Sequence, residues 1–136
     1  MFRLRLRLRL RLPPASAAAR AEALGRRGEK AAVRALRRLG YRVLARRLRT
    51  RGGEVDVVAL DGDTLVLVEV KASQGAPADV AASRVGAEKR ARLRRAYGTL
   101  AGRPGIAGRP RRLDVVTVVF DGRRPRCAVH RGFARL

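Results

Sequence analysis

GEVDVVALDGDTLVLVEVKAS, residues 53–73, is the stretch on which the reading of this chain turns. It holds two apolar runs, Val55 to Leu60 and Leu65 to Val70, separated by Asp61-Gly62-Asp63. That is the pattern of a β-hairpin whose strands lie centrally in a sheet. In strands of this kind the polar residues are the exceptions, and here they are Glu54, Asp56, Glu69 and Lys71. Side chains alternate along a strand, so Glu69 and Lys71 share one face about 7 Å apart, and Glu54 and Asp56 likewise.

The turn decides which of these groups meet. A hairpin symmetric about the Gly62/Asp63 junction sets Asp56 opposite Glu69 and Glu54 opposite Lys71. With Asp61-Gly62 as the two-residue loop, Glu54 faces Glu69 and Asp56 lies one position away. A three-residue bulged turn would dissolve either register. Both two-residue registers bring carboxylates together across the strands, where opposed Cβ atoms are about 4.5 to 5.5 Å apart and like charges repel. A proton, the Lys71 ammonium or a divalent cation could neutralise them, and only the cation makes the cluster useful in catalysis. Held by carboxylates, a hard cation such as Mg²⁺ or Mn²⁺ acts as Lewis acid and water activator for phosphodiester hydrolysis. Lys71 would stand beside the phosphate as a point charge.

Outward from the hairpin, the charge balance names a partner. With 33 Lys+Arg against 11 Asp+Glu, the net charge is +22, which suits a polyanion: nucleic acid first, an anionic membrane surface second. One cysteine, Cys127, and one histidine, His130, exclude an internal disulfide, a cysteine-based zinc site and a histidine cluster; both residues are read as structural. No apolar run reaches the ~18 residues of a membrane span, no signal-peptide core is present, and the expected compartment is the cytoplasm. Two Tyr, three Phe and no Trp leave no stacking platform for sequence-specific reading of single strands.

Residues 1–15 are set apart from a single domain over 16–136. Residues 3 to 12 alternate Arg and Leu before Pro13-Pro14, a low-complexity arm or translated upstream sequence from a start codon placed too early. Setting aside its five arginines takes +22 to +17, so the polyanion argument does not depend on it. A helix is expected from Ser16 to about Leu39, with Leu24, Ala31, Ala32, Ala35, Leu36 and Leu39 inward and Gly40 as the stop. Glu29 lies almost in line with Leu36 on that helix, which aims a carboxylate at or near the buried side.

Tyr41 to Leu48 offers an edge strand, and RTRGG (49–53) is the tight connection into the hairpin, with Arg49 and Arg51 just before the acidic cluster. Gln74 opens a small-residue loop running to Ser83. A second helix over Ala87 to Ala101 buries Leu93, Ala96, Tyr97 and Leu100 and carries Lys89, Arg90, Arg92, Arg94 and Arg95 on its other face. Leu113 to Phe120 is a strand buried on both faces, with Asp114 as a polar residue at its start, and a last strand lies around Cys127 to His130. The helix between the third and fourth strands makes them parallel through a right-handed crossover, giving a mixed sheet flanked by helices.

The GEK of the first helix, then GEVDVVA and LVEVK, then EKRARLRRA and RRLDVVTV, resemble the YraN-like bacterial proteins. These are endonuclease-like proteins of the restriction-endonuclease-like α/β (α+β) fold, akin to Holliday-junction resolvases. The resemblance covers about Leu24 to Phe133. It implies a site in which Asp56 and Glu69 bind Mg²⁺ or Mn²⁺, Lys71 positions or activates water, and Glu29 completes the metal shell. Glu54 and Gln74 are accessory positions, and Arg49, Arg51, Lys89 and Arg92 are the expected contacts to DNA. Val55 stands where the superfamily usually has Pro before the Asp. By analogy with junction-cutting relatives, a homodimer is the acting species. The alternative is a basic nucleic-acid-binding protein that keeps the fold and does not cut, and a third reading is a ribosome- or membrane-associated basic protein.

Overall fold

A computed structural model describes residues 14–51, 53–77, 87–122 and 124–134. The Arg/Leu arm up to Pro13 and most of the loop before the second helix lie outside these residues. The elements run in the order α1 (Ala17–Arg38), β1 (Arg42–Thr50), β2 (Gly53–Asp61), β3 (Thr64–Gln74), α2 (Ala87–Ala101), β4 (Arg111–Phe120) and β5 (Arg126–Ala134). The strands form one sheet in sequence order, antiparallel except for the β3·β4 pair, which is parallel. The crossover through α2 is what makes that pair parallel.

The helices lie against the two faces of the sheet, in the α+β arrangement of a restriction-endonuclease-like fold. Ala32, Val33 and Leu36 of α1 pack on Val57, Ala59, Val66, Val68, Val116 and Val118. Leu93, Ala96 and Leu100 of α2 pack on Val58, Leu60, Leu65, Leu67 and Leu113. This is why β2 and β3 are almost wholly apolar: each successive residue enters one core or the other. Full burial of each large aliphatic side chain contributes about 1.5–3 kcal/mol.

Ser16 caps α1, its Oγ accepting from the Ala19 N–H at 3.1 Å, and Gly40 follows the last turn with φ +90°, as the stop signals require. Leu39 departs from expectation: it is 55% exposed. It sits at the C-cap, where the chain has already left helical geometry, so the inward stripe ends at Leu36. Asp114 departs in the other direction. β4 begins three residues before it, and its side chain is fully buried. It accepts hydrogen bonds from Tyr41 Oη (2.9 Å), Arg112 Nε (2.8 Å) and the Gly132 N–H (2.9 Å). Arg112 in turn reaches Asp61 at 2.7 Å, tying the ends of three strands together. Among the described residues no helix is long and apolar enough to cross a membrane.

Candidate functional site

The hairpin adopts the register symmetric about Gly62/Asp63, with Asp61 paired to Thr64 and Val57 to Val68. One further step would set Asp56 against Glu69, but the ladder ends first. Asp56 instead accepts a hydrogen bond from the Val70 N–H at 2.8 Å through its side chain. Beyond that point β3 continues along β4 as far as Gln74, opposite Phe120. The two strands part where the acidic residues sit, and a carboxylate occupies the opening.

On the other side of β2, Arg46 pairs with Val57 and Leu48 with Val55, which leaves Arg47 across from Asp56. Arg47 has φ +49°, the only non-glycine residue with positive φ among those described, a conformation uncommon for an L side chain. Its guanidinium donates to Glu29 at 2.7 Å. Glu29 reaches the sheet because the residue before it is glycine. A Cβ on Gly28 would stand 2.6 Å from the Ala72 Cβ, so α1 touches β3 there and Glu29, its side chain 10% exposed, is pressed against the strands.

Glu29, Glu54 and Asp56 each offer an oxygen within 4.8 Å of the other two. An all-oxygen donor set suits Mg²⁺, Mn²⁺ or Ca²⁺ rather than a softer ion. A Ca²⁺ shell spans about 5 Å and a Mg²⁺ shell about 4.2 Å, so one cation can bridge the three after small inward shifts. Glu54, only an accessory position in the sequence, is thus a member of the trio. Glu69 is not in it. Both Glu69 oxygens are engaged by α2: Oε2 by Lys89 Nζ at 3.0 Å and Oε1 by Arg92 Nη2 at 3.1 Å.

Asp56 nonetheless feels both neighbours. Its carboxyl is pushed up from 3.8 to about 6, chiefly by burial, with Glu69 and Glu29 adding to the rise and the Val70 N–H and Lys89 opposing it. Lys71 is two residues beyond Glu69 on β3 and half-buried. Gln74 ends β3, exposed, with its carbonyl accepting from the Ala76 N–H.

The counter-charges are therefore Arg47 for Glu29, Arg49 for Glu54 at 3.7 Å, and Lys89 with Arg92 for Glu69. Reasoning from the sequence missed Arg47; the one trace of it is the loss of alternation in β1 after Ala45. Arg95, which the sequence placed on the charged face of α2 without singling it out, lines an open groove of about 800 Å³ with Arg49, Thr50, Arg51, Gly98 and Thr99. Arg95 also borders the depression holding Lys89 and Arg92. Cys127 packs against the core under α1, where burial pushes its thiol up, and the His130 Nε2 lies 3.3 Å from Thr117 Oγ1.

Comparison with known proteins follows the same core. A family model described as "Uncharacterised protein family UPF0102" matches residues 28–118, from Gly28 in α1 to Val118 in β4. A UPF0102 protein of Kineococcus radiotolerans is 46% identical over 110 residues, covering 80% of this chain and 90% of that relative. One from Pelotomaculum thermopropionicum is 42% identical, covering 72% and 82%, and one from Symbiobacterium thermophilum is 42% identical, covering 70% and 80%. With the matched segment carrying the site-bearing helix, the hairpin and its parallel neighbour, this chain belongs to the UPF0102 (YraN-like) family.

Proposed function

We propose that this protein is a metal-dependent endonuclease that hydrolyses phosphodiester bonds in DNA, with Mg²⁺ or Mn²⁺ as its cofactor. The observation that carries the reading is the three-carboxylate cluster of Glu29, Glu54 and Asp56 at the point where β2 and β3 part. It lies in a chain of net charge +22. Arg47 and Arg49 meet Glu29 and Glu54, and Asp56 is pushed up by burial and by its acidic neighbours, a penalty that a bound cation would relieve. A bound divalent cation supplies Lewis-acid polarisation of the phosphate and a more acidic water.

The chain's own residues do the rest. Glu29, Glu54 and Asp56 hold the cation, and Glu69 joins them when its own partners release it. Lys71 places an ammonium beside the phosphate being cut, stabilising the charge that develops there. The groove of Arg49, Arg51 and Arg95 carries the backbone of the strand, positioning it without reading its sequence.

The test is cleavage of supercoiled, branched and single-stranded DNA with Mg²⁺ or Mn²⁺, comparing wild type with Asp56→Ala and Glu69→Ala. Cutting should require metal and vanish in both variants; cutting that persists in both refutes the assignment. The binding-only alternative draws on a specific observation, that Glu29 and Glu69 already have cationic partners in Arg47, Lys89 and Arg92. It gives DNA affinity falling by about 0.9 in log K per log salt for each phosphate neutralised, with no response to metal or to Asp56→Ala.

A further inference from the structure

We propose that Lys89 and Arg92 form an exchangeable clasp on Glu69, which nucleic-acid phosphate opens, so that metal and nucleic acid bind this protein cooperatively. The inference rests on the nuclease reading and adds a regulatory step to that site. Glu69 is 8% exposed, and its two oxygens are taken by Lys89 at 3.0 Å and Arg92 at 3.1 Å. The converging carboxylates accordingly number three rather than four. A cation entering among Glu29, Glu54 and Asp56 finds the fourth ligand already held by the protein's own charges.

The clasp is built into the chain yet incompletely satisfied. Arg92 reaches Glu69 by crossing the start of β2 at Gly53, where any Cβ would collide with the arginine Cδ. Its Nε is buried without a hydrogen-bond partner, a state that costs free energy. A phosphate accepts two parallel hydrogen bonds from a guanidinium, so moving to one lets Arg92 use a donor it now leaves idle. The phosphate is expected close by. Lys89 and Arg92 line a depression with Arg95, and Arg95 also lines the groove of Arg49 and Arg51. Phosphate takes the cations, Glu69 is released to the metal, and the coupling is reciprocal.

The experiment measures Mn²⁺ affinity of the full-length protein by electron paramagnetic resonance of the free ion. It is done on ice with and without a 16-base-pair duplex, with Asp56→Ala subtracting ions held by the duplex itself. In wild type the duplex should tighten Mn²⁺ binding about tenfold, within the usual range of such couplings. Lys89→Gln/Arg92→Gln should bind Mn²⁺ about tenfold tighter than wild type with no duplex present, and gain little more when it is added. Lys89→Gln alone leaves the Arg92 stem in place over Gly53 and should show an intermediate gain, which decides the matter if the double variant does not fold. Mn²⁺ binding in wild type that the duplex leaves unchanged, or variants that bind no tighter, overturns the clasp while leaving the nuclease reading intact. Absence of site-specific Mn²⁺ binding under every condition overturns both.

Discussion

Replacing Asp56 by Asn should make the protein more stable at neutral pH, by an amount that depends on pH in one direction only. The Asp56 carboxyl is pushed from 3.8 to about 6. Between those values the folded protein holds a proton that the unfolded chain releases, so wild-type stability falls as pH rises through the window and levels off above it. At about 1.4 kcal/mol per tenfold in proton affinity the full cost is ~3 kcal/mol, and solvent contact at this half-buried side chain reduces it to ~1–2 kcal/mol. Asn keeps an oxygen for the Val70 N–H and carries no charge. Urea denaturation followed by circular dichroism from pH 4.5 to 8 should show Asp56→Asn gaining ~1–2 kcal/mol on wild type by pH 7, with no further gain above. Added Mg²⁺ should then restore wild type alone, by about 2.7 kcal/mol at a hundred times its dissociation constant. A difference that is flat with pH, or wild type growing more stable as pH rises through this window, would refute the claim that Asp56 is held among unfavourable neighbours.

Two further substitutions test how the site is mounted. Gly28→Ala gains about 1 kcal/mol of helix propensity but sets a Cβ 2.6 Å from that of Ala72, an overpacking that costs about 1–3 kcal/mol. Thermal melts of a double-mutant cycle with Ala72→Gly should show coupling of about 1–2 kcal/mol, and additive effects would mean α1 does not touch β3 there. Asp114→Ala removes the shared buried acceptor of Tyr41, Arg112 and the Gly132 N–H while Arg112 keeps Asp61, and should cost about 1–3 kcal/mol in urea denaturation; no measurable loss would show the network to be slack.

The elements of this fold could be read along the chain because their signals are local. Continuous apolar runs on either side of Asp61-Gly62-Asp63 mark β2, β3 and the turn between them, a stripe at three and four marks α2 over Ala87–Ala101, and of the registers the turn left open the structure takes the one symmetric about Gly62/Asp63. The parallel β3·β4 pair followed from the helix that crosses between the two strands, since neighbours joined by a crossover rather than a hairpin run the same way. What the sequence could not supply was the rotation of one element against another. Asp114 read as a polar strand start, yet it lies at the centre of a buried network, because Tyr41 comes to it from 73 residues away. Leu39 continued a helical stripe that the chain abandons at the cap.

The carboxylates of the hairpin were visible in the sequence as polar interruptions of apolar strands, but the cross-strand meeting with Glu69 that strand geometry offered gives way to a trio of Glu29, Glu54 and Asp56. Their counter-ions were not visible. Arg47 meets Glu29 across 18 residues and Arg92 meets Glu69 across 23, and among 33 basic residues composition cannot say which will turn inward. That choice was made by packing: the contact of Gly28 with β3, the left-handed turn at Arg47 and the passage of Arg92 over Gly53. The sequence determined which groups carry the charge, and only the tertiary structure decided which of them face one another, because an ion pair depends on a few ångströms of placement that periodicity along a chain does not encode.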